Sequence, residues 1–192
     1  FPSFNKLNTF LDQIEYNYKN NIPLSDSEKA ALNFTCALIT QTNFAYPNSG
    51  AKLFNAAASF VNDMGYFSAD LLFPDSTFYH ILKVNMINGF PAQLSISKSG
   101  SFNFLHSVIA DGYNTDGFFH LNFGWGPNKP DAITDAWYFI PKNMGDGYNA
   151  INSSILDIKP VAQPEPQLAV NANLFRLPAC LVGKRSESKI LI

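Results

Sequence analysis

Three residues, His106, Asn122 and Trp125, raise a chemical question. They lie in the stretches Leu105-His106-Ser107-Val108-Ile109-Ala110-Asp111-Gly112-Tyr113 and Phe118-Phe119-His120-Leu121-Asn122-Phe123-Gly124-Trp125-Gly126. Both stretches read as strands, joined by a Gly/Asn turn, so the pattern is a hairpin. A hairpin sets the start of its first strand beside the end of its second. His106 is therefore expected near Asn122–Trp125 in space, one ring nitrogen toward the Asn122 side chain and the indole packed over that contact. An imidazole held in one tautomer by a polar partner is fit for general base work. Opposite a thiol it would form the thiolate–imidazolium pair of nucleophilic catalysis. The same residues also suit an ordinary core histidine bonded to a backbone carbonyl, with Trp125 as filling.

Other chemistry is sparse. The two cysteines, Cys36 and Cys180, fit neither a disulfide scaffold nor a four-cysteine zinc site. His80, His106 and His120 show no metal-ligand spacing, and no cofactor is expected. Cys36 falls in the middle of an apolar helical pattern, where a cysteine behaves as an inert small hydrophobe.

The elements that must carry these residues follow from periodicity. Residues 1–24 read as irregular and Asn-rich, with at most a short helix over 7–15. Ser25 with Glu28 three residues on is a capping box, and Ala30, Ala31, Phe34 and Leu38 then recur at helical spacing. A second helix is expected over 51–64, with Phe54, Ala57, Ala58, Val61 and Met64 as its stripe and Gly65 as its stop. A third spans 76–88, with Asp75 as N-cap and Gly89 as stop. After Gly89 the hydrophobic period shifts from about four to two. Strands are expected over 92–97, 106–111, 118–123, 136–140 and 154–158. Helices followed by consecutive strands make an α+β chain with an antiparallel sheet. Three prolines within 159–167 read as an extended linker. Beyond it, 168–192 carries two strand-like runs, either packed on the body or opening a β-sandwich.

Composition narrows the function classes. Of 192 residues 13 are Lys or Arg and 15 are Asp or Glu, giving a net charge of −2. That balance argues against a nucleic-acid binder. The 46% apolar and 15% aromatic content argues for a packed core. No apolar run is long enough to span a bilayer. The chain begins at Phe1 with no signal region, as a processed product or a piece of a longer protein would.

The motifs resemble the streptopain family of papain-like bacterial cysteine peptidases. That family carries Gly-His-Ala-x-Val-x-Asp-Gly-Tyr followed by Tyr/Phe-His-x-Asn-Trp-Gly-Trp-Gly-Gly. This chain has His106-Ser107-Val108-Ile109-Ala110-Asp111-Gly112-Tyr113 and Phe119-His120-Leu121-Asn122-Phe123-Gly124-Trp125-Gly126. Gly89-Phe90-Pro91-Ala92, the turn 44–50, Gly65-Tyr66 and the strand ending in Ile158-Lys159-Pro160 are similar to family motifs in the same order. The resemblance covers roughly 25–160. It implies helices (25–88) packed on a curved antiparallel sheet (89–160), His106 as general base and acid, Asn122 orienting it, Trp125 covering the site, and His120 as structural. Residues 1–160 would be a partial catalytic domain, 161–167 a Pro-rich linker and 168–192 a C-terminal extension. The implied activity is a cysteine endopeptidase acting on polypeptides, secreted or at the bacterial cell surface.

The departures are specific. The family nucleophile opens a long helix in a Gly-Cys-x-Ala-Thr-Ala-like motif that this chain lacks; Cys36 matches a non-catalytic family position. The thiol would come from a segment or chain upstream of Phe1. Leu105 replaces the glycine before the histidine and would crowd a substrate's path, Phe123 replaces the first indole, and Pro127 the last glycine. These changes suit an alternative, a catalytically inactive pseudopeptidase serving as a binding or structural module in an extracellular assembly.

Overall fold

The computed structural model describes residues 3–46, 48–98, 105–125 and 135–161. The proposed linker (161–167, apart from Val161), the extension (168–192) and Pro127 lie outside them. The chain divides into two compact units, residues 3–67 with 160–161 and residues 68–159.

The first unit holds three helices. Helix α1 spans Phe4–Lys19, far longer than the short helix expected from the Asn-rich sequence. Ser3 starts it by accepting a hydrogen bond from the Lys6 N–H, satisfying one of the orphan donors of the first turn. Leu7 and Ile14, two turns apart, bury against Ala31, with Phe10, Leu11 and Leu32 around them. Asn17 continues the same face as a polar member: its Nδ2 donates to Glu28 Oε1 at 2.7 Å. Helix α2, Asp26–Ile39, starts at the expected capping box, with the Ser25 N–H donating to Glu28 Oε2 and the Glu28 N–H to Ser25 Oγ. Helix α3, Leu53–Asn62, is tied to the end of α2: Ser59 Oγ donates to the Ile39 carbonyl and Asn55 Nδ2 to the Thr40 carbonyl. These bonds satisfy carbonyls that α2 leaves without a helical donor.

The second unit is built on the sheet. The strands are β1 (Tyr66–Leu72), β2 (Ala92–Ser97), β3 (Leu105–Tyr113), β4 (Phe119–Asn122), β5 (Asp135–Tyr138) and β6 (Ala150–Pro160), in the order β1-β6-β2-β3-β4-β5. The pairs β6/β2, β2/β3, β3/β4 and β4/β5 are antiparallel, as the change of period at Gly89 predicts. Strand β1 is an addition. Its sequence Tyr-Phe-Ser-Ala-Asp-Leu-Leu has no clean alternation, because it is an edge strand with neither face fully buried. Helix α4, Phe78–Ile87, lies on the sheet. Asp75 Oδ1 accepts from the N–H groups of Thr77 and Phe78 at its start, and Gly89, at φ +74, ends it. Phe78, Leu82 and Met86 pack with Leu94, Ile96, Val108, Ala110, Leu121 and Phe123, all nearly inaccessible. Full burial of each large side chain contributes about 1.5–3 kcal/mol.

One polar clamp joins α4 to β6. Asn85 is 1% exposed; its Oδ1 accepts from the Asp157 N–H at 2.6 Å and its Nδ2 donates to Asp157 Oδ1 at 3.1 Å. Asp157 sits at φ +50, a conformation that non-glycine residues enter at a cost. The Asn85 contacts, with Ser68 Oγ donating to the Asp157 carbonyl, hold it there. Asn85→Ala leaves the partly buried Asp157 N–H without this acceptor and should cost about 1–3 kcal/mol; urea unfolding monitored by circular dichroism checks this.

The first unit carries a pH signature. Hydrogen bonds from the Ser25 hydroxyl and the Ser25 N–H hold the Glu28 carboxylate below the ordinary glutamate range. A depressed folded value stabilises the fold above that ordinary range, and the contribution is lost as pH falls through the depressed value. Glu28→Gln should therefore flatten the acid limb of the stability–pH curve and leave its neutral plateau lower, as thermal melts between pH 2 and 7 would show.

Candidate active site

His106 is positioned by the pleat of β3. Val108 and Ala110 are buried and Leu105, Ser107 and Ile109 are exposed, so His106 shares the core-side face with Val108 and Ala110. Across the hairpin, Phe119, Leu121 and Phe123 are buried and Asn122 is exposed. The register pairs Ile109 with Asn122 and Ala110 with Leu121, which sets His106 level with Trp125.

The His106 ring lies partly exposed among aromatic rings. Trp125 stacks on it, with centroids 4.9 Å apart and planes 25° from parallel. Phe123 lies at 5.9 Å and Tyr148 at 6.0 Å. Burial and the nearby Asp146 carboxylate hold the Tyr148 phenol above its ordinary range, so this wall of the site is neutral. Lys98 Nζ lies over the Tyr148 ring, 5.3 Å from its centroid, and 3.9 Å from the Asp146 carboxylate.

One hydrogen bond fixes the imidazole. Its Nε2 lies 2.9 Å from the Phe123 carbonyl oxygen. A carbonyl only accepts, so Nε2 carries the proton and Nδ1 of the neutral ring carries the lone pair. Among the described residues Nδ1 has no hydrogen-bond partner. The neutral ring thus holds its basic lone pair at Nδ1.

The sequence places the three expected residues in one hairpin, and the structure separates their roles. His106 and Trp125 meet face to face. Asn122 is on the opposite side of the sheet with His120, because neighbours along a strand point to opposite faces. Its Oδ1 accepts from the Gly124 N–H at 2.8 Å, closing the turn that leads from β4 to Trp125. The polar partner of His106 is the main-chain carbonyl one residue on. No side-chain pattern signals a carbonyl, and the Phe123 ring, expected only as a substitution, is a wall of the site. Tyr148 also went unread; its one sequence signal is the Gly145-Asp146-Gly147 turn before it. His120 Nδ1 donates to Asp111 Oδ1 at 2.6 Å, and the ring packs on Trp137. Leu105 is more than half exposed on the face away from His106, not across its ring.

Cys36 sits mid-way along α2, in the first unit. Burial pushes its thiol up to about 11. At neutral pH almost none of it is thiolate, the form that attacks. Among the described residues no group of three His, Cys, Asp or Glu is placed to hold a metal ion.

Helix α4 on its antiparallel sheet, with His106 stacked on Trp125 at the open end of a hairpin, matches the papain-like cysteine-peptidase fold. The active wild-type interpain A cysteine protease of Prevotella intermedia has this fold, with a TM-score of 0.58 at 20% identity over 71% of this chain. This chain spans 59% of the length of that structure. The chain belongs to the peptidase C10 family, whose profile matches residues 4–138. No match is found among curated protein sequences.

The high thiol value has a direct readout. In the folded protein at pH 7.5, iodoacetamide should label Cys36 well over tenfold more slowly than in the urea-unfolded chain, because each unit of pKa removes about tenfold of thiolate. Mass spectrometry of the Cys36 peptide measures both rates.

Proposed function

We propose that this chain supplies the general-base half of a streptopain-type cysteine endopeptidase. The observation that carries this reading is His106, tautomerically fixed by the Phe123 carbonyl, with Nδ1 carrying its lone pair and Trp125 stacked on the ring. In the reaction, Nδ1 takes the proton of a cysteine thiol from a segment upstream of Phe1. The thiolate attacks the scissile carbonyl carbon of a polypeptide. The imidazolium then returns the proton from Nδ1 to the leaving amine, and a thioester forms. In the second half Nδ1 deprotonates water, which attacks the thioester and releases the acid and the thiol. The Nε2–H bond to the carbonyl strengthens when the ring is charged, which favours the ion pair. Trp125 limits the access of water to one ring face. Asn122 supports the site at one remove, by shaping the turn that delivers Trp125. Family membership favours a secreted or cell-surface bacterial setting, and no described helix is long and apolar enough to cross a membrane.

The pseudopeptidase reading draws on Cys36, whose raised thiol makes it a poor nucleophile within this chain. The two readings divide on the upstream segment. In the intact protein, His106→Ala should lower kcat/KM for a peptide substrate by about 10³-fold or more, with the melting temperature within a few degrees of wild type. Unchanged activity in that variant overturns the assignment of His106. An intact wild-type protein that neither cleaves peptides nor carries a fast-alkylating thiol selects the pseudopeptidase.

A further inference from the structure

Strand β3 is held from two sides that disagree about alternation. Strand β2 holds Val108 and Ala110 inward, opposite Leu94 and Ala92. The hairpin turn pairs Tyr113 with Phe119, and the Tyr113 ring packs inward, 5.0 Å from that of Phe119. Strict alternation cannot turn 108, 110 and 113 to the same face. One residue has to be set out of the ladder. Ala110 pairs with Leu121 and Gly112 with His120, neighbours on β4, so Asp111 is the extra residue of a β-bulge.

The bulge is fastened at its own site. Asp111 Oδ1 and His120 Nδ1 lie 2.6 Å apart, a side-chain bond between the extra residue and the strand it bulges from. Gly112 allows the approach: a Cβ there would stand 3.0 Å from His120 Cβ and 3.2 Å from Trp137 Cη2. The Trp137 ring closes over His120 from β5 at 5.2 Å.

We propose that Asp111, His120 and Gly112 form a register lock that sets Trp125 and the Phe123 carbonyl against His106. The register arithmetic gives the reason. With the bulge, the Ile109–Asn122 pairing runs on to bring Trp125 level with His106. Without it, the Gly112–His120 pairing would run on to bring Trp125 level with Ser107, on the other face. A one-residue slip turns every β4 side chain over relative to β3. Asp111 and His120 are thus positioning residues, acting through β4 on the groups that touch the imidazole. The lock stands on the geometry of the hairpin; its bearing on catalysis rests on the general-base role proposed for His106.

Nuclear magnetic resonance of the intact protein tests the lock without any activity. The readouts are the ring-to-ring nuclear Overhauser effect between His106 and Trp125 and the His106 Nε2–H resonance. Asp111→Ala and His120→Ala should weaken that effect, because losing a hydrogen bond to a charged group shifts the equilibrium between the two registers by about tenfold or more. Asp111→Asn keeps an acceptor, and His120→Asn places an amide N–H near the former Nδ1; both should retain it. If Asp111→Ala does not fold, His120→Ala decides, since it leaves the bulged residue in place. An undiminished effect in His120→Ala overturns the proposal, as does failure of both conservative variants to preserve it in a folded protein. In the peptidase assay, kcat should fall in the two alanine variants and recover in the conservative pair. If the resonance pattern is as expected while His106→Ala keeps full activity, the register lock stands and the peptidase reading falls.

Discussion

The period of two along a β-strand is the constraint on which this molecule turns. His106 faces the core side only because Val108 and Ala110 are fixed there by α4 and β2. The same rule sends Asn122 outward, since Leu121 and Phe123 are inward. A residue in a strand cannot choose its face independently of its neighbours. The geometry around His106 is therefore inherited from the apolar packing of residues that do no chemistry. Phe78, Leu82 and Met86 contribute to the site as surely as the residues that line it, by holding the inner face of β3 in place.

The setting of the imidazole is assembled from one side chain, one main-chain oxygen and one aromatic plane. A carbonyl in a turn next to a strand end is held by the backbone itself and loses no side-chain entropy when it accepts the imidazole proton. It also remains in place whichever side chain occupies position 123. The Phe123 ring adds an apolar wall, its centroid 4.9 Å from that of Trp125. The aromatic ring set of Phe123, Trp125 and Tyr148 surrounds the imidazole with neutral surfaces.

Much of this was legible in the sequence, and the limits are instructive. The capping box at Ser25 and Glu28 is local chemistry and fixed the start of α2. Strand β2 coincides with the alternating run 92–97, because it is central and its inward residues are all apolar. Helix α1 was foreshortened because two of its stabilising contacts, Ser3 with Lys6 and Asn17 with Glu28, are made by polar residues whose composition suggests loop. Strand β1 was missed because an edge strand need not alternate. The hairpin is legible in the alternating runs on either side of the Gly/Asn turn, and its pairing brings His106 to Trp125. The side chain of Asn122 was misdirected because proximity in a hairpin was taken without parity, and parity depends on the bulge at Asp111, which leaves no mark in composition.

The sheet order carries a consequence for how the chain reaches this state. Strand β6 lies between β1 and β2, though it comes last in sequence among the six. The Ser68–Asp157 and Leu72–Ser154 contacts close loops of 89 and 82 residues. Loop-closure entropy makes such pairings late events, and folds dominated by them are slow. Until β6 arrives, β1 and the open side of β2 present bare ladder edges, the surface most prone to pairing with another chain. The window of aggregation thus closes with the insertion of a single strand, and the Asn85–Asp157 clamp, formed only on its arrival, is the latch that ends it.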